Sequence, residues 1–499
     1  MPLVPDPSGA SGYISAPYLS NAPDAFCIGR LVTRSGKGID DKVKYGGDQG
    51  IIIFGPNGKG KGTSLLIPHL LQSSGSSLVV VDPKGELAAV TAKYRQELGR
   101  VVVINPFGLH TELSDYQDLK SAGFNPLAKL DPASDSFNSE AAQLAEALVS
   151  VGGSREPHWP MSGRALVAAI IMQATINARN LGKVPTIADV RELLCQMSDA
   201  PHEGNNKEGL GIPKLAREMM RQQKHTGLKN KAAQFVDWNR EIQSIASTAR
   251  IQTEPFDDNE IARDLRKEGL DFADLKREPI TVYLVLPPLM MERHSKWLRL
   301  IITAALQNVL RPRRQGEPRV TFLMDEFFAL GHMEIVSTVW ALVRGYGVQM
   351  VPVLQDLGQL KKLYPDMWET FIGNAGAITS FATNDLTTAE WFSRRAGETT
   401  RDITSESQSI NFGSSLGSNT GGQGGGTTSF SESSGTSFSS SSAPQKTTLI
   451  TPHTLFGLPP YYMVGVVDGM SDVLPLYAPP YLDIKECVAR KRDNPFYPG

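Results

Sequence analysis

The run Ile51-Ile-Ile-Phe-Gly55-Pro56-Asn57-Gly58-Lys59-Gly60-Lys61-Gly62-Thr63-Ser64 constrains this chain more than any other. Its apolar start predicts a buried strand, its glycine-rich middle a loop, and Leu65-Leu66-Ile67-Pro68 the opening of a helix. Glycines let backbone N–H groups turn inward around phosphate oxygens, and a lysine at position 61 reaches the outer phosphates. The helix N-terminus adds partial positive charge at the same point. Gly55, Pro56, Asn57, Gly58, Lys59, Gly60, Lys61, Gly62 and Thr63 are therefore the candidate nucleotide-binding residues. One position departs from the usual loop: Gly62 stands where Ser or Thr would hold Mg²⁺, leaving hydroxyls only at Thr63 and Ser64. A second Gly/Lys-rich turn, Thr33-Arg-Ser-Gly-Lys37-Gly38, lacks the first glycine and follows only a short apolar stretch, so it reads as a loop.

With 499 residues the chain can bury a large core and is long enough for two or more domains. A net charge of −2 argues against a protein that coats nucleic acid electrostatically, so any nucleic-acid contact has to be local. Cys27, Cys195 and Cys487 lie far apart without metal-ligand spacing, which favours a reducing, cytoplasmic setting. The N-terminus has no basic region followed by an apolar core, so it does not read as a secretory signal. No run reaches the roughly 18 apolar residues of a spanning helix. The nearest, 165–172, is short and meets Gln173. The chain reads as soluble.

Short Val/Ile-rich runs at 51–54, 78–81, 101–104, 280–286, 320–324, 348–354 and 377–381 lack period-two alternation, as strands of a parallel sheet covered on both faces do. Helical patterns at 139–149, 163–179 and 297–310 lie between them, which predicts an α/β domain. Residues 185–268 carry few strand-like runs and several helical ones (187–197, 215–223, 231–251), the pattern of an all-α insertion. The expected organisation is an N-terminal segment 1–44, a nucleotide-binding domain in two halves (45–184 and 269–403), the insertion at 185–268, a Ser/Gly-rich flexible segment 404–446, and a C-terminal strand and tail 447–499. The Ser/Gly segment cannot bury enough apolar area to offset its ordering entropy.

Two strand ends offer acids. Leu78-Val-Val-Val-Asp82-Pro83-Lys84-Gly85-Glu86 ends in a single buried-strand aspartate, either a second acid beside the nucleotide or the cap of a proline-assisted turn. Val320-Thr-Phe-Leu-Met-Asp325-Glu326 supplies two adjacent acids, and hydrolysis needs one carboxylate near Mg²⁺ and one to orient the attacking water. Asp325 and Glu326 are the candidate catalytic pair. Gln355, at the end of the next strand, can reach the γ-phosphate or its water. Arg344 lies between them on a loop; an arginine supplied to a neighbouring subunit's site is worth about 10³–10⁵ in rate, although an exposed surface arginine is the default.

The order of the Gly-rich loop, Val-Val-Asp82-Pro-Lys-Gly-Glu86, Phe124-Asn-Pro-Leu127, Met324-Asp-Glu-Phe-Phe-Ala-Leu-Gly331, Arg344-Gly-Tyr-Gly347 and Leu354-Gln355 resembles the type IV secretion coupling proteins, the conjugative DNA-transfer ATPases. Asn384-Asp-Leu-Thr-Thr-Ala-Glu390 and Leu449-Ile-Thr-Pro452 also resemble family segments. The resemblance covers residues 45–467, and glycine at the position of Gly62 recurs in that family. It implies a RecA-like P-loop domain carrying an all-α domain, assembled as a homo-hexamer around a DNA channel. It further implies that Lys61 binds phosphates, Asp325 with Thr63 organises Mg²⁺, Glu326 activates water, Gln355 senses the γ-phosphate and Arg344 acts in trans, with ATP and Mg²⁺ as cofactors. The implied partners are single-stranded DNA with a relaxase or a secreted protein, and the secretion channel at the inner membrane. Members of the family commonly begin with a transmembrane anchor, and no such segment occurs in this sequence; the expected location is the cytoplasmic face of the inner membrane.

Lys214, Arg217, Arg221 and Lys224 share one helix face, with Lys229 and Lys231 following, and Arg311-Pro-Arg313-Arg314 forms a second basic group. Either is a candidate DNA or relaxosome contact, against the usual reading of such stripes as solvated faces. The leading expectation is a DNA-coupled motor. An ATP-binding recruitment platform and a DNA-independent protein-export ATPase are the alternatives.

Overall fold

Runs as apolar as Ile51–Phe54 or Val348–Leu354 leave no face for water, and the sheet they build is covered on both sides. The computed structural model describes residues 20–32, 38–151, 158–196, 211–222, 224–237, 239–342, 345–418 and 428–497. Its strands are β1 (Phe26–Val32), β2 (Gly38–Tyr45), β3 (Gly50–Phe54), β4 (Ser77–Asp82), β5 (Arg100–Ile104), β6 (Ile280–Val285), β7 (Val320–Met324), β8 (Val348–Leu354), β9 (Ala375–Phe381), β10 (Glu398–Ser418), β11 (Thr428–Thr448), β12 (Tyr462–Val467) and β13 (Leu474–Tyr477). An 11-stranded sheet runs in the order β2-β1-β13-β12-β9-β3-β8-β7-β4-β6-β5. From β9 to β5 every neighbouring pair is parallel, and β12, β13, β1 and β2 extend that edge antiparallel.

Alternate residues of one strand feed two separate cores. Ile51, Ile53, Leu78 and Val80 pack with Leu65–Leu71 side chains and with Leu87–Val90 of the helix Glu86–Leu98. Ile52, Phe54, Val79 and Val81 pack with the helices Phe137–Leu148, His158–Asn180 and Pro288–Val309. This is the α/β fold expected, helices on both faces of a mainly parallel sheet. Parallel pairing also sets Phe54 beside Leu354, and Val81 beside Met324, so the carboxyl ends of β3, β8, β7 and β4 stand in one row.

Between β5 and β6 the described residues contain no strand. Ile187–Gln196, Ile212–Met220, Thr226–Ala232, Arg240–Thr253 and Asn259–Asp264 fill much of that interval. The continuous helix expected over 231–251 is broken. Thr226–Ala232 and the turn Ala233–Phe235 end first, and the Asn239 side chain accepts from the Ile242 amide at 2.8 Å to open Arg240–Thr253. An asparagine that caps better than it extends overrides the periodicity there.

The stretch expected to be flexible at 404–446 is paired over most of its length. β10 and β11 form their own antiparallel ladder, with Glu398 opposite Thr448 and Ser418 opposite Thr428. Phe412 is 84% and Leu416 70% exposed, so backbone hydrogen bonding rather than apolar burial orders this ribbon. The turn read at Thr33–Lys37 lies outside the described residues, while Gly38 opens β2. Among the described residues no helix is long and apolar enough to cross a membrane.

Candidate nucleotide-binding site

β3 runs into the glycine-rich loop, which passes through a π-type turn, Gly62–Leu66, into the helix Ile67–Gln72. Gly58 (φ 78°) and Gly60 (φ 93°) occupy the left-handed region that a side chain would strain. At Gly60 an added Cβ would also stand 3.0 Å from the Tyr461 ring. The Ser64 amide donates to Gly60 O at 2.8 Å, and the Gly55 amide donates to Leu354 O at 3.0 Å, tying the loop to the end of β8. Lys61 is only 8% exposed, and its Nζ donates to Gly55 O (2.5 Å) and Pro56 O (3.2 Å). Burial draws the Lys61 ammonium below the usual lysine range, and the charges of Asp325 and Glu326 act against that shift.

Those two acids follow β7 directly. Asp325 is pushed up to about 6, first by burial and then by the Glu326 charge, with Lys61 and Lys84 opposing. Glu326 sits at φ 55°, ψ 43°, a left-handed conformation uncommon outside glycine and found at strained functional positions. Its carbonyl accepts from the Ala329 amide at 2.9 Å, which starts the turn Phe327–Leu330. Arg299, buried on Pro288–Val309, donates to Leu330 O and His332 O on this segment and to Ala147 O on Phe137–Leu148.

Asp82 closes the proline-assisted turn. Its carboxylate accepts from the Ala88 amide at 2.8 Å and its carbonyl from the Gly85 amide at 3.2 Å, which caps the turn into Glu86–Leu98. It is also a buried acid in the field of Asp325, pushed up to about 7 by burial foremost. Gln355 is half-buried, immediately beyond β8, where its amide donates to Gln359 Oε1 at 2.9 Å. The Thr63 hydroxyl donates to Gly60 O at 3.3 Å. An added Cβ on Gly62 would meet nothing within 4 Å. The structure therefore brings the loop 55–63, Asp325, Glu326 and Gln355 to adjacent strand ends of one sheet, with Asp82 and exposed Lys84 alongside.

Arg344 lies outside the described residues. Gly345, Tyr346 and Gly347 lead into β8 at its amino end, the opposite end of the sheet from the loop 55–63, and buried Lys276 Nζ pins that turn by donating to Tyr346 O and Arg311 O, each at 2.6 Å. Lys214, Arg217, Arg221 and Lys224 are exposed, with Ile212, Leu215, Ala216 and Met219 turned inward. The helix ends at Met220, however, so only Lys214 and Arg217 share its outer face, and the four do not lie on one helix as expected. Arg311 is paired with Glu317 at 2.8 Å and Arg313 donates to Glu317 O, so these two hold their own turn. Sequence reasoning passed over Lys84, Lys276, Arg299 and Tyr461. Only Lys84 carried a signal, two residues beyond a strand-end acid.

The donor set suits a magnesium nucleotide. Among the described residues no three His, Cys, Asp or Glu side chains converge to hold a metal by themselves. Mg²⁺ at phosphate sites keeps its waters and takes one or two protein carboxylates, and Asp325 is a carboxylate of that kind in the field of buried Lys61.

Fold and site together define a RecA-like P-loop nucleotide-binding fold. The profile of the family described as "Type IV secretory system Conjugative DNA transfer" matches residues 10–461, and the chain belongs to that family, the type IV coupling proteins. It is 27% identical over 392 residues to the conjugal transfer protein TraG of Escherichia coli, covering 72% of this chain and 56% of TraG. It is 26% identical over 365 residues to VirD4 of Rhizobium radiobacter, covering 72% and 49%. The chain thus spans about half the length of the curated relatives it matches. Among solved structures it resembles the plasmid coupling protein TrwB in complex with the GTP analogue GDPNP (TM-score 0.59, 13% identity, 93% of this chain and 97% of that one). It also resembles TrwB in complex with ADP and Mg²⁺ (TM-score 0.57, 14% identity, 94% and 98%). At these identities the likeness is one of fold.

Proposed function

We propose that this chain hydrolyses ATP at the loop 55–63 and, as a ring of six, couples turnover to the transfer of single-stranded DNA with its relaxase, or of a secreted protein, into a type IV secretion channel. The observation that carries the reading is the convergence of buried Lys61, after β3, with half-buried Asp325 and Glu326, after β7, on strand ends either side of β8. Lys61 and the loop amides offset phosphate charge, Glu326 accepts the proton of the attacking water, and Gln355 orients that water beside the γ-phosphate. Asp325, with the Thr63 hydroxyl, would hold Mg²⁺, which when bound neutralises charge developing on the phosphate oxygens.

Arg344 is assigned to the neighbouring subunit's site. The described residues that follow it in sequence, Gly345–Gly347, lead into the amino end of β8, whereas the phosphate loop follows the carboxyl end of β3, and that separation supports the assignment. The helical stretch around 185–268 is the proposed receiver of substrate, with the exposed basic residues Lys214 and Arg217 of the helix Ile212–Met220, and Arg221 and Lys224 beyond its end, as its contact. The assembly is proposed to work at the cytoplasmic face of the inner membrane.

The test is ATP turnover by the purified chain, with and without single-stranded DNA, for wild type and Lys61→Ala. Turnover that rises with DNA and vanishes in the variant supports the motor. Turnover indifferent to DNA in an oligomeric wild type replaces it with protein export alone, and background turnover in both replaces it with an ATP-binding recruitment platform.

A further inference from the structure

A nucleoside triphosphate has two ends, and the order of strands separates them. Everything suited to the terminal phosphate stands on one side of β3: Gln355 after β8, Asp325 and Glu326 after β7, Asp82 and Lys84 after β4. The other side of β3, toward β9 and β12, carries none of these groups and is open to the nucleoside end. β12 is antiparallel to β9, with Met463 opposite Phe381, and β9 is parallel to β3, with Ser380 beside Phe54. Residues just before β12 therefore rise past the end of β9 to the level of the phosphate loop. Tyr461 is there.

Three features of Tyr461 go beyond a loop residue. Its ring packs against Gly60, with Cδ1 and Cε1 each 3.0 Å from the position a Cβ would take. Its backbone is left-handed, φ 67°, a conformation a bulky side chain rarely holds and glycine adopts freely. It is also held in place: Tyr461 O accepts from the Ala478 amide at 2.9 Å, the Tyr462 amide donates to Pro459 O at 3.1 Å, and the Tyr462 ring packs on Tyr477 with centroids 5.1 Å apart. A half-buried aromatic is thus kept where the backbone favours glycine, at the side of the loop that the nucleoside must pass.

We infer that the Tyr461 ring is the platform on which the purine of the bound nucleotide stacks, an inference that rests on the ATP-binding reading of the loop 55–63. Every purine has a π-face, so a site built this way holds the base without reading its edge and accepts adenine and guanine nucleotides alike.

The test compares Mg-ATP with Mg-tripolyphosphate, which has the phosphates and no nucleoside, by calorimetric titration of the full chain. Tyr461→Gly and Tyr461→Asn, both compatible with a positive φ, should weaken ATP by about 5–150-fold, the range expected for losing one stacked base. Both should leave tripolyphosphate affinity unchanged, and Tyr461→Phe should keep wild-type affinity for both ligands. Equal weakening of the two ligands would reduce the ring to a loop support and overturn the inference, as would full ATP affinity in both variants. A wild type that binds neither ligand would overturn the nucleotide reading itself, so the two failures are distinguishable. Melting of each variant without ligand checks folding, and either variant alone is sufficient for the comparison.

Discussion

Lys61 Nζ donates to the carbonyl oxygen of Gly55 at 2.5 Å, so the residue that opens the phosphate loop holds the lysine that closes it. The ammonium is buried and aimed by backbone carbonyls, with Asp325 and Glu326 acting on it only through their charge. A phosphate group offers it charge-assisted hydrogen bonds that those carbonyls do not, each worth about 1.5–3 kcal/mol. Lys61→Ala should therefore weaken ATP binding by about 10–150-fold and reduce turnover to background, read by calorimetry and phosphate release. Lys61→Arg should fare little better, because a planar fork cannot take the place of a compact ammonium enclosed between Gly55 and Pro56.

Glu326→Gln separates binding from chemistry. The substitution keeps size and the left-handed backbone, and removes only the proton acceptor. Turnover should fall by about 10²–10⁴ while ATP affinity stays within experimental error of wild type. Retained turnover in single-cycle measurements would move the base to Asp82, a buried acid in the field of Asp325.

The buried acids also set a slope of stability against pH. Burial first, and then the charge of Asp325, pushes Asp82 up to about 7, and burial followed by the charge of Glu326 pushes Asp325 up to about 6, both above the ordinary aspartate value near 4. Between these values the folded state holds protons that the unfolded chain has released, so the contribution of both groups to stability is full at low pH and is lost as pH rises through about 6 and 7. Asp82→Asn keeps an oxygen to accept from the Ala88 amide and removes one of the titrations. Melting temperature should drop more steeply from about pH 6 to 8 in wild type than in Asp82→Asn. Parallel curves would show that Asp82 is not protonated in the folded chain.

How much of this could be read beforehand follows from where each signal lies. Most strands from β3 to β8 are short runs rich in Val, Ile and Leu and buried on both faces, so composition alone marks them, and acids at the ends of β4 and β7 mark the site. β1 and β13 carry no such mark: Arg30 is paired with Tyr477 at the other end of the chain, and their mixed side chains suit an edge extension that only the partner defines. The contact between Tyr461 and Gly60 is equally invisible, since neither residue announces the other. β10 and β11 escaped for a different reason. Composition reports what a segment can bury, whereas that ribbon is held by its backbone ladder.

Gly62 offers the sharpest test of how this loop handles magnesium. In most such loops a Ser or Thr hydroxyl follows the lysine and binds the metal. Here a Cβ at position 62 would meet nothing within 4 Å, and the backbone is not in the left-handed region, so steric need does not explain the glycine. Gly62→Ser should fold as wild type, with glycine replaced by a better helix former at the start of the turn Gly62–Leu66. The new hydroxyl adds one oxygen ligand near Asp325, worth about 1 kcal/mol, so half-maximal ATPase activity should need about fivefold less Mg²⁺. If instead the magnesium requirement is unchanged in Gly62→Ser and rises in Thr63→Val, the Thr63 hydroxyl, which would leave the Gly60 carbonyl to reach the metal as proposed, already fills the loop's share of the coordination and a second hydroxyl adds nothing.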